Sequence, residues 1–225
     1  MAELTREQNN ERMRKQLLHS AAKMFLEKGY QATSLRELCA DAKVNVGSFV
    51  NLFGCKENIM RDLVQYVLEE QFTRTAKLLE GKTNDKILFY AAETTLQLYI
   101  AESSEPVREV YAVAYSLPTT TDIIQHTITG KLENIFKEHL PHLETKDFYE
   151  LEIASGGIIR GFMTIPCDMY FTMERKVHRF IETSFLIYRL PDEKIQEAID
   201  FVSQFDFKKI ADETIASMLA YLEGK

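Results

Sequence analysis

The chain has 225 residues, of which 27 are Lys or Arg and 34 are Asp or Glu, so its formal net charge is −7. Hydrophobic residues make up 45% of it and prolines only 5 positions, a composition typical of packed globular proteins and not of disordered chains. No run of about eighteen apolar residues predicts a membrane-spanning helix, and the N-terminal segment lacks the apolar centre of a secretion signal. The three scattered cysteines are too few for a disulfide scaffold or a zinc site. These features predict a reduced cytoplasmic protein that does not enter a membrane.

The charge is distributed unevenly along the chain. Residues 1–56 hold 9 Lys or Arg and 6 Asp or Glu, a net charge of +3, whereas residues 57–225 hold 18 and 28, a net charge of −10. A basic end on an acidic body indicates that only the N-terminal end meets a polyanion.

Helical periodicity runs through the whole chain, and no segment shows the sustained alternation expected of strands. An apolar stripe from Leu17 to Leu26 predicts a first helix that ends at Gly29. The run Ser34-Leu35-Arg36-Glu37 is a capping box that begins a second helix. Asn45 is positioned to cap a third, short helix that ends at about Leu52.

A long helix is predicted from about Lys56 to Leu79. The stretch 87–100 is apolar on more than one face, which predicts a central buried helix. The predicted fold class is therefore all-α, with an N-terminal three-helix helix-turn-helix domain at 12–57, a C-terminal helical bundle at 58–225, and a connecting helix at 56–80. The helices expected in the bundle lie at roughly 85–102, 106–117, 122–139, 146–165, 172–190, 192–205 and 207–223.

Two short helices joined by a tight turn and braced by an apolar first helix form the helix-turn-helix pattern, whose second helix lies in the major groove of DNA. The predicted reader helix, residues 45–52, carries no charged side chain. Gly47 costs it about 1 kcal/mol of helix stability. A glycine suits this position if the backbone there comes close to a base edge or a phosphate.

Several side chains of the reader helix are candidates for contact with bases. Ser48 and Asn51 are able to bond base edges, and Val46 and Phe49 are able to touch thymine methyl groups. For Phe49 a place in the domain's own core is an equal alternative, and Val50 is expected in that core.

Phosphate contacts are expected from the residues that flank the reader helix. Thr33 and Ser34 lie at a helix N-terminus, which favours anions. Lys43 lies in the turn, where a solvated surface charge is the alternative interpretation, and Lys56 begins the long helix. The full predicted DNA-binding set is Thr33, Ser34, Lys43, Asn45, Val46, Gly47, Ser48, Phe49, Asn51 and Lys56.

The segment from Leu17 to Val67 resembles the DNA-binding domain of TetR-family transcriptional repressors. Its many positions in register are more specific than a generic helix-turn-helix, and the remaining helices match the family only in number, order and length. The matching positions are Ala21-Ala22-x-x-Phe25, Gly29-Tyr30-x-Ala32-Thr33-Ser34-Leu35-Arg36-Glu37-Leu38, Val44-Asn45-x-Gly47-Ser48 and Phe53-x-x-Lys56-Glu57-x-Ile59.

The resemblance implies that Thr33 and Lys56 contact backbone phosphates and that residues 45–52 read the operator. It also implies a homodimer that places two reader helices in successive major grooves of a pseudo-palindrome, about 34–36 Å apart. A left-handed backbone is expected to be strained at Lys43, where the family usually has glycine. The other departures from the family pattern are Val50 in place of tyrosine, Asn51 in place of a His or Arg-like residue, and Cys55 in place of a serine cap.

The resemblance further implies that the bundle senses a small-molecule effector and holds the dimer together. Tyrosines set among apolar helices need hydrogen-bond partners, so a cavity with polar groups is plausible, although an ordinary aromatic core explains most of them equally well. The predicted pocket residues are Tyr99, Tyr111, Tyr115, Arg160, Phe162 and Met163.

Dimerisation is predicted through helices 172–190 and 207–222, the alternative being that these helices only close the core of each subunit. A small-residue stripe formed by Ala154, Gly157 and Gly161 indicates close helix packing or space for a ligand. The predicted interface residues are Val177, Ile181, Phe185, Tyr188, Ile215 and Met218.

We therefore expect a sequence-specific DNA-binding transcriptional regulator, a repressor that a small apolar or aromatic ligand releases from a double-stranded operator. One alternative is a regulator switched by a protein partner, with no small-molecule pocket. An enzyme with a helical body is disfavoured, because the sequence shows no paired carboxylates on a pocket-facing stripe, no Ser/His/Asp order and no metal cluster. His139 and His142 are expected to be solvated, so no cofactor or metal is predicted.

Overall fold

The computed structural model describes residues 5–222, with side chains to residue 220, as helices and turns without a strand in that range. This confirms the all-α prediction, while residues 223–225 of the predicted bundle lie outside the described residues. The helices are α1 (Arg6–Lys28), α2 (Leu35–Asp41), α3 (Val46–Phe53), α4 (Lys56–Leu79), α5 (Lys86–Glu102), α6 (Glu105–Ala114), α7 (Pro118–Phe136), α8 (Thr145–Thr164), α9 (Met173–Ile187), α10 (Asp192–Val202) and α11 (Phe207–Leu222).

The short N-terminal helices begin and end where their local signals predict. The Ser34 hydroxyl accepts a hydrogen bond from the Glu37 N–H, and the Glu37 carboxylate accepts one from the Ser34 N–H, so the capping box is confirmed. Asn45 Oδ1 accepts a hydrogen bond from the Ser48 N–H at 2.7 Å and caps α3. α1 ends at Gly29, whose φ of +88° is rarely accessible to other residues.

Helices α1–α3 pack around a small apolar core that continues into the rest of the molecule. α1 contacts α2 and α3, and it also contacts α4, α6 and α11 of the body. The predicted division at residue 57 falls within the first turn of α4, so it stays a prediction. The core side chains of this part are Leu17, Ala21, Phe25, Leu38, Phe49, Phe53 and Ile59.

Helix α5 is the centre of the body, as its apolar sequence predicts. It contacts α4 and α6 to α11, and every side chain from Tyr90 to Leu98 is buried. Four of these buried residues are polar or charged, namely Glu93, Thr94, Thr95 and Gln97. The middle of the bundle therefore contains polar groups that apolar periodicity does not reveal. No helix in the described part of the chain is both long and apolar enough to cross a membrane.

Four of the six predicted interface residues belong to the core of the subunit. Val177, Ile181, Phe185 and Tyr188 are all buried, because α9 packs them against α8, α10 and α5, and they are not available to a partner in this conformation. The other two, Ile215 and Met218 on α11, line a cavity between the helices, and their place in an interface stays a prediction.

The exposed large apolar side chains of the body lie on α8 and α9 and on the segment between them, which holds Ile165, Met169 and Tyr170. Ile153 on α8 is 49% exposed and Leu186 on α9 is 60% exposed. The predicted small-residue stripe is also exposed, and a Cβ added at Gly157 or Gly161 meets no atom within 4 Å. The stripe therefore does not serve close packing within the subunit.

Candidate DNA interface and effector cavity

Helix α3 presents an uncharged face to the surrounding solvent. Val46 and Val50 are 42% and 50% exposed, Gly47 and Asn51 are also exposed, and Ser48 is half-buried. This face offers one hydroxyl, one amide and two branched apolar groups, which match the hydrogen-bonding and methyl groups of base edges in the major groove.

The packing of α3 decides between the two alternatives for Phe49 and reverses the expectation for Val50. Phe49 is fully buried and lies beside Phe53, with ring centroids 5.5 Å apart, so it belongs to the core and does not contact bases in this conformation. Val50, expected in the core, is half exposed. The helix is rotated so that Val46 and Val50, four residues apart, share the outer face.

The turn before α3 carries strain at the position that departs from the family pattern. Lys43 has a φ of +55°, in the left-handed region, which costs a side chain with a Cβ roughly 1–2 kcal/mol. Its side chain is exposed beside the reader helix. This placement is compatible with a phosphate contact and equally with a solvated charge.

The two phosphate contacts implied by the family are used inside the domain here. Thr33 is fully buried, and its hydroxyl donates a hydrogen bond to the Gly29 carbonyl at 2.8 Å. The Lys56 ammonium donates to the Tyr30 and Thr33 carbonyls at 2.9 and 3.0 Å and lies 4.1 Å from the centroid of the Tyr30 ring. Burial lowers the pKa of Lys56. Thr33 closes the α1–α2 loop on itself and Lys56 holds that loop against α4, so neither side chain is free to contact a phosphate in this conformation.

The start of α2 is already occupied by a carboxylate. Hydrogen bonds from Ser34, followed by one from Lys28, lower the pKa of Glu37 to about 2. An anion therefore sits at the predicted phosphate-binding terminus, and Ser34 is committed to the capping box. Arg36, exposed on the same helix, is a candidate phosphate contact outside the set predicted from the sequence. Its position in the basic N-terminal segment is the sequence feature that indicates it.

A cavity of about 100 Å³ lies between α1 and the helices of the body. Its walls come from α1, α4, α5, α6, α7 and α11 and are almost entirely apolar. Three α1 side chains, Ala22, Phe25 and Leu26, form part of its wall. The helix that braces the reader helix is thus in direct contact with the cavity.

Polar groups are concentrated at one side of this cavity. The Gln71 side-chain amide on α4 donates to the Tyr111 hydroxyl on α6. The Tyr115 hydroxyl donates to Gln97 Oε1 at 3.3 Å, and Gln97 Nε2 donates to Glu93 Oε1 at 2.7 Å. Burial raises the pKa of both tyrosines, so they are neutral donors and acceptors at physiological pH.

Two of the six predicted pocket residues, Tyr111 and Tyr115, line this cavity, and the other four do not. Tyr99 stacks on Phe207, Phe162 packs against Phe180, and Met163 is buried in the core. Arg160 is exposed on α8. The direction of these four side chains depends on the rotation of their helices, which tertiary packing sets.

Two buried carboxyl groups that no stripe in the sequence pairs lie on neighbouring helices of the body. Glu93 on α5 and Glu152 on α8 are both buried and line one small gap together with Gln97, Tyr115 and Lys131. Burial raises the pKa of Glu93 to about 7. Burial, and secondarily the charge of Glu93, raises the pKa of Glu152 to about 8. The two residues are far apart in the sequence, so no spacing rule pairs them.

Helix α6 connects the cavity with the loop between α1 and α2. The Gln31 N–H donates a hydrogen bond to Glu109 Oε1 at 2.7 Å. A Cβ added at Gly29 would lie 2.1 Å from Glu109 Oε2, so the loop and α6 are in close contact. One helix therefore carries Tyr111 on the cavity wall and Glu109 on the DNA-binding domain.

The sequence and the fold of this chain are similar to those of known regulatory proteins. Residues 17–63 match the sequence pattern of bacterial regulatory proteins of the tetR family. The chain is 26% identical over 111 residues to the HTH-type transcriptional regulator YuxN of Bacillus subtilis, covering 49% of this chain and 38% of that protein. It is 34% identical over 71 residues to the HTH-type transcriptional repressor KstR2 of Mycobacterium tuberculosis, covering 32% of this chain and 36% of that protein. The matches thus span little more than a third of those relatives.

The fold of the whole chain is similar to that of a solved structure, RolR in complex with resorcinol. The TM-score is 0.67 at 16% identity, and the alignment covers 89% of this chain and 97% of RolR. The matched N-terminal segment contains the helix-turn-helix that exposes α3. Residues 17–63 thus have the sequence pattern of the tetR family of bacterial regulatory proteins, and the fold of the whole chain is similar to that of RolR.

Proposed function

We propose that this protein is a homodimeric transcriptional repressor that binds a pseudo-palindromic operator through α3 and leaves it when a small apolar or aromatic effector fills the cavity. The observation that carries the proposal is the position of the cavity, whose wall includes Ala22, Phe25 and Leu26 of the DNA-binding domain. Because duplex DNA is its target, we place the protein in the bacterial cytoplasm.

Size and polarity define the kind of effector that the cavity accepts. An engineered apolar cavity of about 150 Å³ binds benzene, so a cavity of about 100 Å³ accepts a group no larger than a single ring. RolR, which shares the fold, is solved with the single-ring compound resorcinol. The repressor sense of the proposal is supported by the partial similarity to KstR2.

The proposed switch is mechanical. An effector between α1, α4 and α6 changes their spacing, and α4 and the Gln31–Glu109 contact transmit this change to α3. Since a duplex accepts two reader helices only about one turn apart, a small change in their separation weakens binding. A protein partner that switches the body is the alternative, and failure of any small molecule to alter operator affinity would favour it.

The dimer is proposed to form through the α8–α9 face. Ile153, Gly157, Gly161 and Leu186 form a surface of exposed apolar and small residues. Small residues allow two helices to approach closely across a two-fold axis. Two such helices from each subunit would form a four-helix bundle.

Selection of bound sequences from a random DNA pool, followed by fluorescence anisotropy, tests the DNA-binding part. The expected result is a pseudo-palindrome with half-sites about one helical turn apart. The double variant Ser48→Ala and Asn51→Ala should lose roughly 1–3 kcal/mol of discrimination per lost base contact. The matched control, Gln196→Ala on the exposed surface of α10, should bind like the parent. Absence of an enriched sequence, or equal binding by the double variant, would contradict the proposal.

A further inference from the structure

Two buried carboxyl groups at the edge of the cavity have no opposite charge bonded to them. Among the described residues, three charged side chains are buried: Glu93, Glu152 and Lys176. Lys176 pairs with Glu102 at 2.5 Å and also donates to the Ile165 carbonyl at 2.6 Å. No ion pair of the described residues includes Glu93 or Glu152.

The hydrogen bonds that these carboxyl groups receive are local and neutral. Glu93 accepts one from Gln97, and Glu152 accepts one from the Ser155 hydroxyl at 3.0 Å. A glutamine would accept the same bonds without the cost of burying an ionisable group. Structural hydrogen bonding alone therefore does not explain why carboxyl groups occupy both positions.

One cation, Lys131 on α7, lines the gap that contains the pair, and its charge acts on Glu93. Its ammonium lies 3.8 Å from the centroid of the Phe72 ring and forms no ion pair with either carboxyl group among the described residues. The other titratable groups that interact with the pair are the hydroxyls of Tyr90, Tyr111, Tyr115 and Tyr188, which are neutral at physiological pH. Lys131 therefore balances one negative charge, and ionisation of both carboxyl groups leaves a second negative charge without a counter-ion.

The carboxyl pair and the apolar cavity adjoin each other. Gln97 and Tyr115 line both the cavity and the gap that contains Glu93 and Glu152. Gly156 leaves room at this point, since a Cβ added there would lie 3.2 Å from Glu152 Oε1. A molecule with an apolar ring and one polar arm would place the ring in the cavity and the arm between Gln97 and Tyr115, next to the carboxyl groups.

We propose that the effector carries a protonated amine, which Glu93 and Glu152 bind as its counter-ions while its apolar part fills the cavity. The inference rests on the proposed effector-responsive function and specifies the class of ligand. An ammonium group supplies the positive charge that the pair lacks, and its N–H groups donate to the carboxylate oxygens. Because the carboxyl groups are largely protonated in the empty site near neutral pH, binding of the cation expels protons to the solvent.

Calorimetry on the full-length protein at pH 7 tests the proposal with matched single-ring probes. Benzylamine, benzyl alcohol and benzoate differ mainly in the charge of the arm. We expect benzylamine to bind at least tenfold more tightly than benzyl alcohol, and benzoate not to bind. Measurements in buffers of different ionisation enthalpy should show proton release with benzylamine and none with benzyl alcohol.

Three variants connect the selectivity to this site. The double variant Glu93→Gln and Glu152→Gln should lose the preference for the amine and the proton release. Glu150→Gln, an exposed position on the same helix, removes an equal charge and should keep both. Gly156→Ala, which presses on Glu152 without changing charge, should weaken benzylamine several-fold. A melting curve for each variant confirms that it is folded.

Equal binding of the alcohol and the amine, no benzylamine binding at millimolar concentration, or amine preference retained in the double variant would each overturn the proposal. Operator binding by the effector-free protein is measured separately. It would persist if only the amine class is wrong, and it would be absent if the proposed regulatory function is wrong.

Discussion

At the scale of single residues, the N-terminal domain shows how one side chain is used for either folding or recognition. Thr33 and Lys56 stand where the family contacts phosphate, yet both are bonded to carbonyl groups of the α1–α2 loop. The side chains exposed on α3 and its preceding turn include Lys43, Val46, Val50 and Asn51. We therefore expect recognition of DNA to depend on exposed groups of α3 and the turn before it.

Replacement of Lys43 separates backbone strain from charge. Lys43→Gly relieves the left-handed conformation and should raise the free energy of unfolding by about 0.5–1 kcal/mol, because the strain removed exceeds the added entropy of the unfolded chain. Lys43→Ala keeps the strain and should leave stability nearly unchanged. Urea unfolding followed by circular dichroism measures both variants.

The same two variants test the phosphate contact. If Lys43 binds a phosphate, both should reduce the slope of log affinity against log salt concentration by about 0.9 for each contact. Lys209→Ala, an exposed lysine at the other end of the chain, should not. An unchanged slope for the Lys43 variants would mean that Lys43 is only a solvated charge.

The buried carboxyl pair predicts that the free energy of unfolding falls as pH rises. Burial raises the pKa of Glu93 to about 7 and of Glu152 to about 8, against an ordinary value of 4.5. Between these values the folded state holds more protons than the unfolded state, so stability is lost as pH rises from 5 to 8, by at most about 1.4 kcal/mol per pH unit for each group.

Thermal unfolding across this pH range measures the effect. The Glu93→Gln and Glu152→Gln double variant should show a flatter profile and higher stability at pH 8, while Glu150→Gln should follow the parent. If the stability of the parent protein instead rises from pH 5 to pH 8, other titratable groups determine its pH dependence.

At the scale of elements, α8 and α9 form the only pair of neighbouring helices for which we propose a partner outside the subunit. Their inner faces hold the side chains first expected at the interface, such as Phe185 and Tyr188. Their outer faces carry exposed apolar and small residues. Association of two subunits would bury this surface and fix the distance between the two α3 helices.

Leu186→Glu should break the dimer. Leu186 is 60% exposed at the centre of the proposed interface, and two negative charges facing each other without counter-ions cost several kcal/mol. We expect monomers in sedimentation velocity at micromolar concentration and loss of operator binding, with the far-ultraviolet spectrum unchanged. Gln196→Glu adds the same charge on the exposed face of α10 and should remain dimeric. A dimeric Leu186→Glu protein would place the interface elsewhere.

At the scale of the whole molecule, we expect that filling the cavity raises the stability of the protein and lowers its affinity for DNA. An effector that favours the released state lowers the affinity of the protein for the operator by a certain factor, and the bound operator lowers the affinity for the effector by the same factor. Filling the cavity by mutation should therefore imitate the effector, since the cavity is in contact with α1, α4 and α6 at once.

Ala114→Met is the variant that tests this opposition. Ala114 is buried on the cavity wall, so the larger side chain should raise the free energy of unfolding by about 0.5–2 kcal/mol. It should also weaken operator binding by about 5-fold or more. Ala216→Met, exposed on α11, is the control and should change neither quantity. Increased stability with unchanged operator affinity would mean that the cavity is not coupled to DNA binding.

The amino-acid sequence alone predicts the helices, their caps and the similarity of residues 17–63 to the tetR family pattern. These features depend on local signals, such as the Ser34–Glu37 capping box, Gly29 and the apolar stripe of α1, which act within a few positions along the chain. The sequence also predicts that α5 is buried, because a helix that is apolar on several faces has no solvent-facing side.

Which side of each helix faces outward, and which distant residues meet, depends on tertiary packing. The rotation of α3 buries Phe49 and exposes Val50, and the packing of α9 turns its apolar stripe inward. Glu93 and Glu152 came together from different helices. Periodicity identifies an apolar face but not the surface that covers it, since that depends on the packing of all neighbouring helices at once.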